Sequence, residues 1–367
     1  MPTMKMHLDL LPDFLRGTAF LGTGGGGDPY VGGLILRQKL EEGADITIMD
    51  PMELDDDDFV VSVANMGAPT VMVEKIPSAL SMVKCLRSIE REKGRKADAL
   101  IAAEAGGING TLPMVIGALT GLPVVDGDGM GRAFPELQMC TFGVYGVPAS
   151  PIVLRDEHDN EVIVRARSNL ESEWFARVVC TRMGTKSEIA LYSMSGQEAK
   201  ETGVLYTTTL AMEIGRSIRE ARETQSDPFA GLQRYFATSR DKRFCKVLFE
   251  GKVVDLLRET TRGWAIGRVK FEGIGTSTGE QLEVRFQNEF LVAQQGERML
   301  GMVPDLICIL DQENAEPITT EGLKYGQRVR VVGVSVPPVM RTPEAIEVFG
   351  PKYFGISDVY TPIEELV

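Results

Sequence analysis

The sequence predicts an α/β N-terminal domain on a mainly parallel sheet, followed by a β-rich C-terminal domain of sandwich or barrel type with intervening helices. Three observations carry this. Strand-length apolar runs alternate with helical periodicity between residues 46 and 125, the pattern of a parallel sheet with crossover helices. From residue 244 onward, short β-rich runs are separated by Gly, Asn, Pro and charged turns, as in small all-β domains. Four consecutive glycines, Gly24, Gly25, Gly26 and Gly27, interrupt otherwise ordinary globular sequence.

Each element follows in order. Residues 9–21 read as a helix, with Leu10, Leu11, Phe14, Leu15 and Phe20 apolar. After the glycines, Asp28 suits an N-cap and Pro29 the first helical position. Val31, Leu34, Ile35 and Leu40 keep helical spacing until Gly43. Strands are expected over 46–49, 59–64, 99–103 and 122–125, and helices over 78–93 and 111–119. Asn65, Glu104 and the pair Asp126 and Asp128 then fall in loops after three successive strands, with Asn65 opening a loop that runs to Pro69. Open α/β sheets gather ligands at that edge. The acidic run 55–58 reads as a solvated turn. From residue 148 the texture changes: a hairpin with a polar turn at 156–160, a helix over 169–183, a strand over 188–194, and one long helix over 196–224. Asp227 and Pro228 open a short helix. Six strands are expected at 246–250, 264–272, 281–286, 289–294, 306–311 and 328–333. The aromatic tail beyond Pro337 is expected to dock on the body. The division is residues 1–165, then residues 166–367, the latter helical over 196–240 and β-rich over 244–335.

Bulk properties bound the function. The chain has 367 residues, 43% hydrophobic and 25% charged, with a net charge of −13. That balance argues against nucleic acid or an anionic membrane as partner, since both reward basic surfaces. The five cysteines are scattered without metal-ligand spacing. With no secretory signal in the first eleven residues and no run of membrane-spanning length, the chain reads as reduced and cytoplasmic. Two histidines, His7 and His158, exclude a multi-histidine metal site, and neither has a triad-like neighbourhood.

The chemistry candidates cluster in the first half. The backbone N–H groups of Gly24, Gly25, Gly26 and Gly27 could hold an anionic or carbonyl group beside the Asp28 helix start. The plain account is a tight connector. A helix, not a strand, precedes the glycines, and no Lys-Ser/Thr closes them, so neither a Rossmann fingerprint nor a Walker loop is present. Asp126-Gly127-Asp128-Gly129, with Arg132 and Glu136, is a dense charged cluster. Two carboxylates on one loop suit a divalent cation, a general base, or an ion pair with Arg132 that only fixes the loop. No EF-hand pattern is present, and the sequence points to no cofactor beyond a divalent metal as one option. Glu104 follows an apolar strand, where burial would raise its pKa for proton transfer; equally, it could cap the next turn. Asn65 could donate an amide hydrogen bond to a substrate carbonyl or form an Asx-turn. Cys140, among Met139, Thr141 and Phe142, reads as a buried cysteine.

Three segments carry a resemblance. They are residues 21–29 with the glycine run, Glu104-Ala105-Gly106-Gly107-Ile108-Asn109-Gly110, and residues 125–139 from Val125 to Met139. Together with Gly267-Arg268-Val269-Lys270-Phe271-Glu272-Gly273, Gln287-Asn288-Glu289, Pro304-Asp305-Leu306-Ile307 and Tyr325-Gly326-Gln327-Arg328-Val329, they resemble the DUF917 family, also called the S-methyl thiohydantoin desulfurase domain. The resemblance spans nearly the whole chain. It implies an α/β domain followed by a β-rich one, and kinship with hydantoin and oxoproline metabolism, where members neighbour hydantoinase/oxoprolinase proteins. The family name implies water replacing a methylthio group on a five-membered cyclic ureide.

The expected function is therefore hydrolytic chemistry on a small polar cyclic ureide. Asp126, Asp128 or Glu104 would activate water, and Arg132 would stabilise charge. Gly24, Gly25, Gly26, Gly27, Asp28, Asn65, Asn109 and Glu136 would bind substrate, and Asp126 and Asp128 would hold a divalent metal if one is used. The alternative is a non-catalytic accessory subunit or ligand-binding partner of a hydantoinase/oxoprolinase-like enzyme. A homo-oligomer is the expected assembly.

Overall fold

The computed structural model describes residues 2–68, 71, 75, 78–261 and 264–367; Pro69, at the end of the loop expected after Asn65, lies outside them. The first layer is a nine-stranded sheet. Its centre is β3 (Phe59–Gly67), and its parallel part runs β2 (Thr47–Met49), β5 (Val124–Asp128), β4 (Ala99–Ala102), β3. Strand β3 is buried along almost its whole length, which explains the unbroken apolar run Phe59-Val60-Val61: a strand covered on both faces needs no polar alternation. β1 (Met4–Lys5) pairs antiparallel with β2 at one edge. On the other side of β3 the sheet turns antiparallel, through β8 (Lys186–Ser195) to the hairpin of β6 (Ile152–Arg155) and β7 (Glu161–Val164).

Helices α1 (Leu11–Leu21), α2 (Pro29–Glu41), α3 (Ala79–Lys93) and α4 (Gly107–Thr120) belong to this layer. Their starts obey local chemistry. The Asp28 carboxylate accepts from the Tyr30 amide with Pro29 at the first position, and Ser78 accepts from the Ser81 amide. α5 (Thr141–Val144) is a single turn, and α6 (Asn169–Arg182) starts on a Ser168 cap.

The second layer is a curled antiparallel sheet of seven strands, in the order β14 (Arg298–Met302), β13 (Glu289–Gln295), β12 (Gln281–Gln287), β11 (Trp264–Gly273), β10 (Cys245–Thr261), β16 (Arg328–Val334), β15 (Leu306–Asp311). Phe249, Phe271, Phe286 and Phe290 fill its interior. The aromatic tail docks as expected: Phe349 is fully buried and stacks near Phe134 at 4.8 Å, and the Tyr360 hydroxyl donates to Asp305 Oδ2. No helix among the described residues is long and apolar enough to cross a membrane.

Several elements differ from the sequence reading. The strand expected to stop before Asn65 continues to Gly67, because β8 supplies ladder partners for Asn65 and Met66. The strand expected to end at Val125 continues through Asp126 and Asp128. Helix α4 begins at Gly107, four residues before the expected start, so Asn109 lies in its first turn. The single helix expected over 196–224 is two helices, α7 (Gly196–Thr202) and α8 (Thr207–Glu223). Between them β9 (Val204–Leu205) pairs with β5; a tertiary strand partner overrides local helical preference there. α9 (Pro228–Thr238) follows on its Asp227 cap, and two short C-terminal helices, α10 (Pro343–Phe349) and α11 (Ile363–Leu366), complete the chain. Strand β14 has no counterpart in the sequence reading.

Candidate active site

A small pocket of about 50 Å³ lies where the C-terminal ends of β3 and β4 meet the second sheet. Gly26, Asn65, Glu104, Asn109 and Glu136 line it, as do Phe134, Arg177, Asn288 and Glu289. Parallel pairing of β3 and β4 puts Asn65 and Glu104 side by side, at the sheet edge where the chain order places ligands.

Asn109 organises this edge. Its Oδ1 accepts from the Asn65 amide at 2.7 Å, while its Nδ2 donates to the Asn65 carbonyl at 3.2 Å and to Glu104 Oε1 at 2.5 Å. That leaves Glu104 Oε2, Asn65 Nδ2 and Asn65 Oδ1 buried without a hydrogen-bond partner. Across the pocket Glu289 Oε1 accepts from the Gly26 amide at 3.2 Å, and Glu289 Oε2 is likewise buried and unpartnered. Buried polar atoms are normally satisfied. Four orphans on three residues around one pocket leave donors and acceptors for a bound ligand or ordered water.

Burial pushes the Glu104 carboxyl up to about 8, against the Asn109 bond that favours its charge. Burial and the nearby Glu104 charge hold Glu289 well above the ordinary carboxylate range. Two carboxyl groups lining one dry pocket disfavour ionising together, so the charge on one raises the pKa of the other.

Glu289 is not among the residues the sequence reading singles out, although Gln287-Asn288-Glu289 is one of the motifs behind the resemblance. Asn288 explains how it arrives. With φ +58 it turns the chain between β12 and β13 in one residue, a conformation asparagine tolerates better than most side chains. Its Oδ1 accepts from the Ala265 amide at 2.8 Å. Arg177, also absent from the sequence reading, is the only cation among the described lining residues. Its Nε donates to Glu173 Oε1 at 2.6 Å, its Nη2 to the Pro135 carbonyl at 2.8 Å, and its guanidinium lies 5.1 Å from the Trp264 ring centre.

The glycine run lies beside the pocket, and Gly26 alone of the four lines it. A Cβ on Gly25 would sit 2.0 Å from Glu289 Oε1, and one on Gly107 would sit 2.4 Å from the Gly26 carbonyl. The run therefore lets two domains and the α4 start approach closely. The Gly25 amide bonds the Gly22 carbonyl, and the Gly24 carbonyl accepts from Thr320. Asp28 is exposed and caps α2.

Of the remaining candidates, only Glu136 reaches the pocket among the described residues. Asp126 accepts from the amide and hydroxyl of Thr209. Asp128 accepts from the amides of Ala105, Met130 and Gly131. Neither lines the pocket. Burial raises both pKa values, Asp128 to about 7. Among the described residues no group of three or more His, Cys, Asp or Glu is placed to hold a metal ion. Arg132 is fully buried, its guanidinium donating to the carbonyls of Ala133, Asp305 and Phe290. Glu136 reaches the pocket rim, where its Oε2 accepts from Tyr353 Oη at 2.7 Å and from Gln138. Cys140 is fully buried, and burial raises its thiol pKa.

The fold and the site together define an α/β domain closed by a curled β-sheet over a small acidic pocket. Residues 9–166 match the S-Me-THD-like N-terminal domain and residues 167–363 the S-Me-THD-like C-terminal domain, so the chain belongs to the S-Me-THD-like family. A protein from Chromobacterium violaceum, solved by X-ray crystallography, is similar in fold, with a TM-score of 0.83 at 22% identity over 98% of this chain and 100% of the other. No curated protein matches.

Proposed function

We propose that the chain is a hydrolytic S-methyl thiohydantoin desulfurase-like enzyme, acting on a small cyclic ureide in the Glu104–Glu289 pocket. The observation that carries this reading is the set of four unpartnered buried polar atoms: Glu104 Oε2, Glu289 Oε2, Asn65 Nδ2 and Asn65 Oδ1. The Asn65 amide offers a donor and an acceptor together, the complement of a ring C=O beside a ring N–H. The pocket's volume suits a small ring, and Arg177 can take an acidic substituent.

The chemistry balances with the residues present. Glu104 in its ionised form takes a proton from water as the water oxygen adds to the ring carbon bearing the methylthio group. Electrons move onto the adjacent ring nitrogen. They return as the C–S bond breaks, and Glu289 gives its proton to the departing sulfur, releasing methanethiol. The ring is left as the hydroxy-imine, which tautomerises to the carbonyl. A proton passing from Glu104 to Glu289 restores the starting state.

The test is methanethiol release from an S-methyl thiohydantoin by purified protein, followed with a thiol reagent. Glu104→Gln and Glu289→Gln are each expected to lower kcat/KM by about 10²-fold or more, the scale of general acid–base catalysis, with circular dichroism unchanged. Turnover unaffected by both substitutions would remove the pair from the mechanism. Binding without turnover by the wild type would favour a ligand-binding accessory role instead.

A further inference from the structure

A second cavity, of about 210 Å³, lies at the start of α8, the end of α9 and the segment leading into β10. Tyr206, Thr209, Glu213, Tyr235, Arg240 and Arg243 are among its walls. Arg243 is only 4% exposed, and its Nε and Nη1 have no hydrogen-bond partner. Its Nη2 makes a single long bond to Asp241 Oδ2 at 3.3 Å. A buried guanidinium with two idle nitrogens is costly unless something accepts from them. Each edge of the guanidinium, Nε with Nη2 or Nη1 with Nη2, can meet an oxyanion through two parallel bonds, and here each edge pairs an idle nitrogen with Nη2, whose one bond to Asp241 is long.

The other walls fit the same occupant. Arg240 lies over the Tyr206 ring at 4.1 Å and makes no ion pair among the described residues, so its charge is available to the cavity. Glu213 is paired with Arg216 at 2.9 Å and Asp241 with Arg243 at 3.3 Å, so Arg240 carries the uncompensated positive charge among the described walls. Thr209 spends its amide and hydroxyl on Asp126. The acidic Asp126 motif thereby fixes a wall of this cavity.

We propose that this cavity is a second binding site, for a small oxyanion of carboxylate or phosphate type gripped by the Arg243 fork with Arg240 at its mouth. Calorimetric titration of the full chain with inorganic phosphate, and separately with acetate, tests it and distinguishes the two sources. One probe is expected to bind at a single saturable site. Arg243→Lys keeps a charge but loses the fork, and is expected to weaken binding about ten-fold or more. Arg240→Ala, at an exposed residue, serves if Arg243→Lys does not fold, and is expected to weaken binding several-fold. Glu104→Gln is expected to bind the anion as the wild type does, which separates this site from the catalytic reading. No saturable binding of either probe up to about 10 mM, where the affinity would be negligible, would overturn the proposal. So would wild-type affinity in both arginine variants.

Discussion

Glu104 sets a pH dependence that one residue can report. Its pKa is about 8 in the fold against an ordinary 4.5, because burial penalises the charged form. A carboxyl with a raised folded pKa contributes stability fully below the unfolded value, and that contribution is lost as pH rises through the folded one. Melting temperature is therefore expected to fall between about pH 5 and pH 8. Glu104→Gln, neutral at every pH, is expected to flatten part of that slope and to melt above the wild type at pH 8, even as activity collapses. Catalysis runs the other way: the base must be ionised, so kcat/KM is expected to climb toward pH 8. Thermal melts across pH on both proteins check the first expectation, and a pH–rate profile the second. A wild-type slope retained in the variant would mean that other carboxyls, such as Glu289 and Asp128, dominate it.

Among the elements, the glycine connector between α1 and α2 governs the site through close approach as well as through the Gly26 amide, which donates to Glu289 Oε1. The Gly25 Cα faces Glu289 so closely that any side chain collides with the carboxylate. Gly25→Ala is expected to displace Glu289, cost about 1–3 kcal/mol as an overpacked site, and lower turnover more than ten-fold on the catalytic scale. Urea denaturation and methanethiol release measure the two effects. Wild-type turnover in a destabilised variant would show that Glu289 tolerates the shift. Helix α4 acts in the same region by a different route, since its first turn delivers Asn109 to both Asn65 and Glu104.

At the scale of the molecule, Arg132 ties the two sheets together. It belongs to the segment following β5, yet two of its three acceptors, the carbonyls of Phe290 and Asp305, belong to the second sheet and its loops. Its guanidinium also lies 4.8 Å from the Phe134 ring centre. Burial lowers its pKa to about 10, so it stays charged at neutral pH. Arg132→Met is expected to cost about 3 kcal/mol or more, because buried carbonyls lose charge-assisted donors. A shift in the urea midpoint measures this. A change below about 1 kcal/mol, the level of a surface bond, would show that water replaces the guanidinium without loss.

Much of this architecture is legible in the amino-acid sequence. The strand–helix alternation around Val60, Leu100 and Val124, the Asp28, Ser78 and Asp227 helix starts, and the β-rich second half all follow from local periodicity and capping chemistry. Asn65 and Glu104 stand out because parallel strands bring their C-terminal ends to one edge. Other features depend on partners distant in sequence. Gly203 and Val204 read as helix until β5 claims Val204 as a strand. Glu289 lies far along the chain from Glu104, and no local pattern announces that they share a pocket. Asp126, Asp128 and Arg132 carry the residue types of a catalytic cluster, yet which acceptors and donors satisfy them is a matter of packing. The sequence by itself determined most of the elements and one wall of the pocket, which rest on short-range backbone preferences and apolar periodicity, and the family, which rests on its motifs. The tertiary structure alone decided which buried polar atoms were left without partners, because satisfaction of a hydrogen bond depends on every neighbour the fold brings within reach.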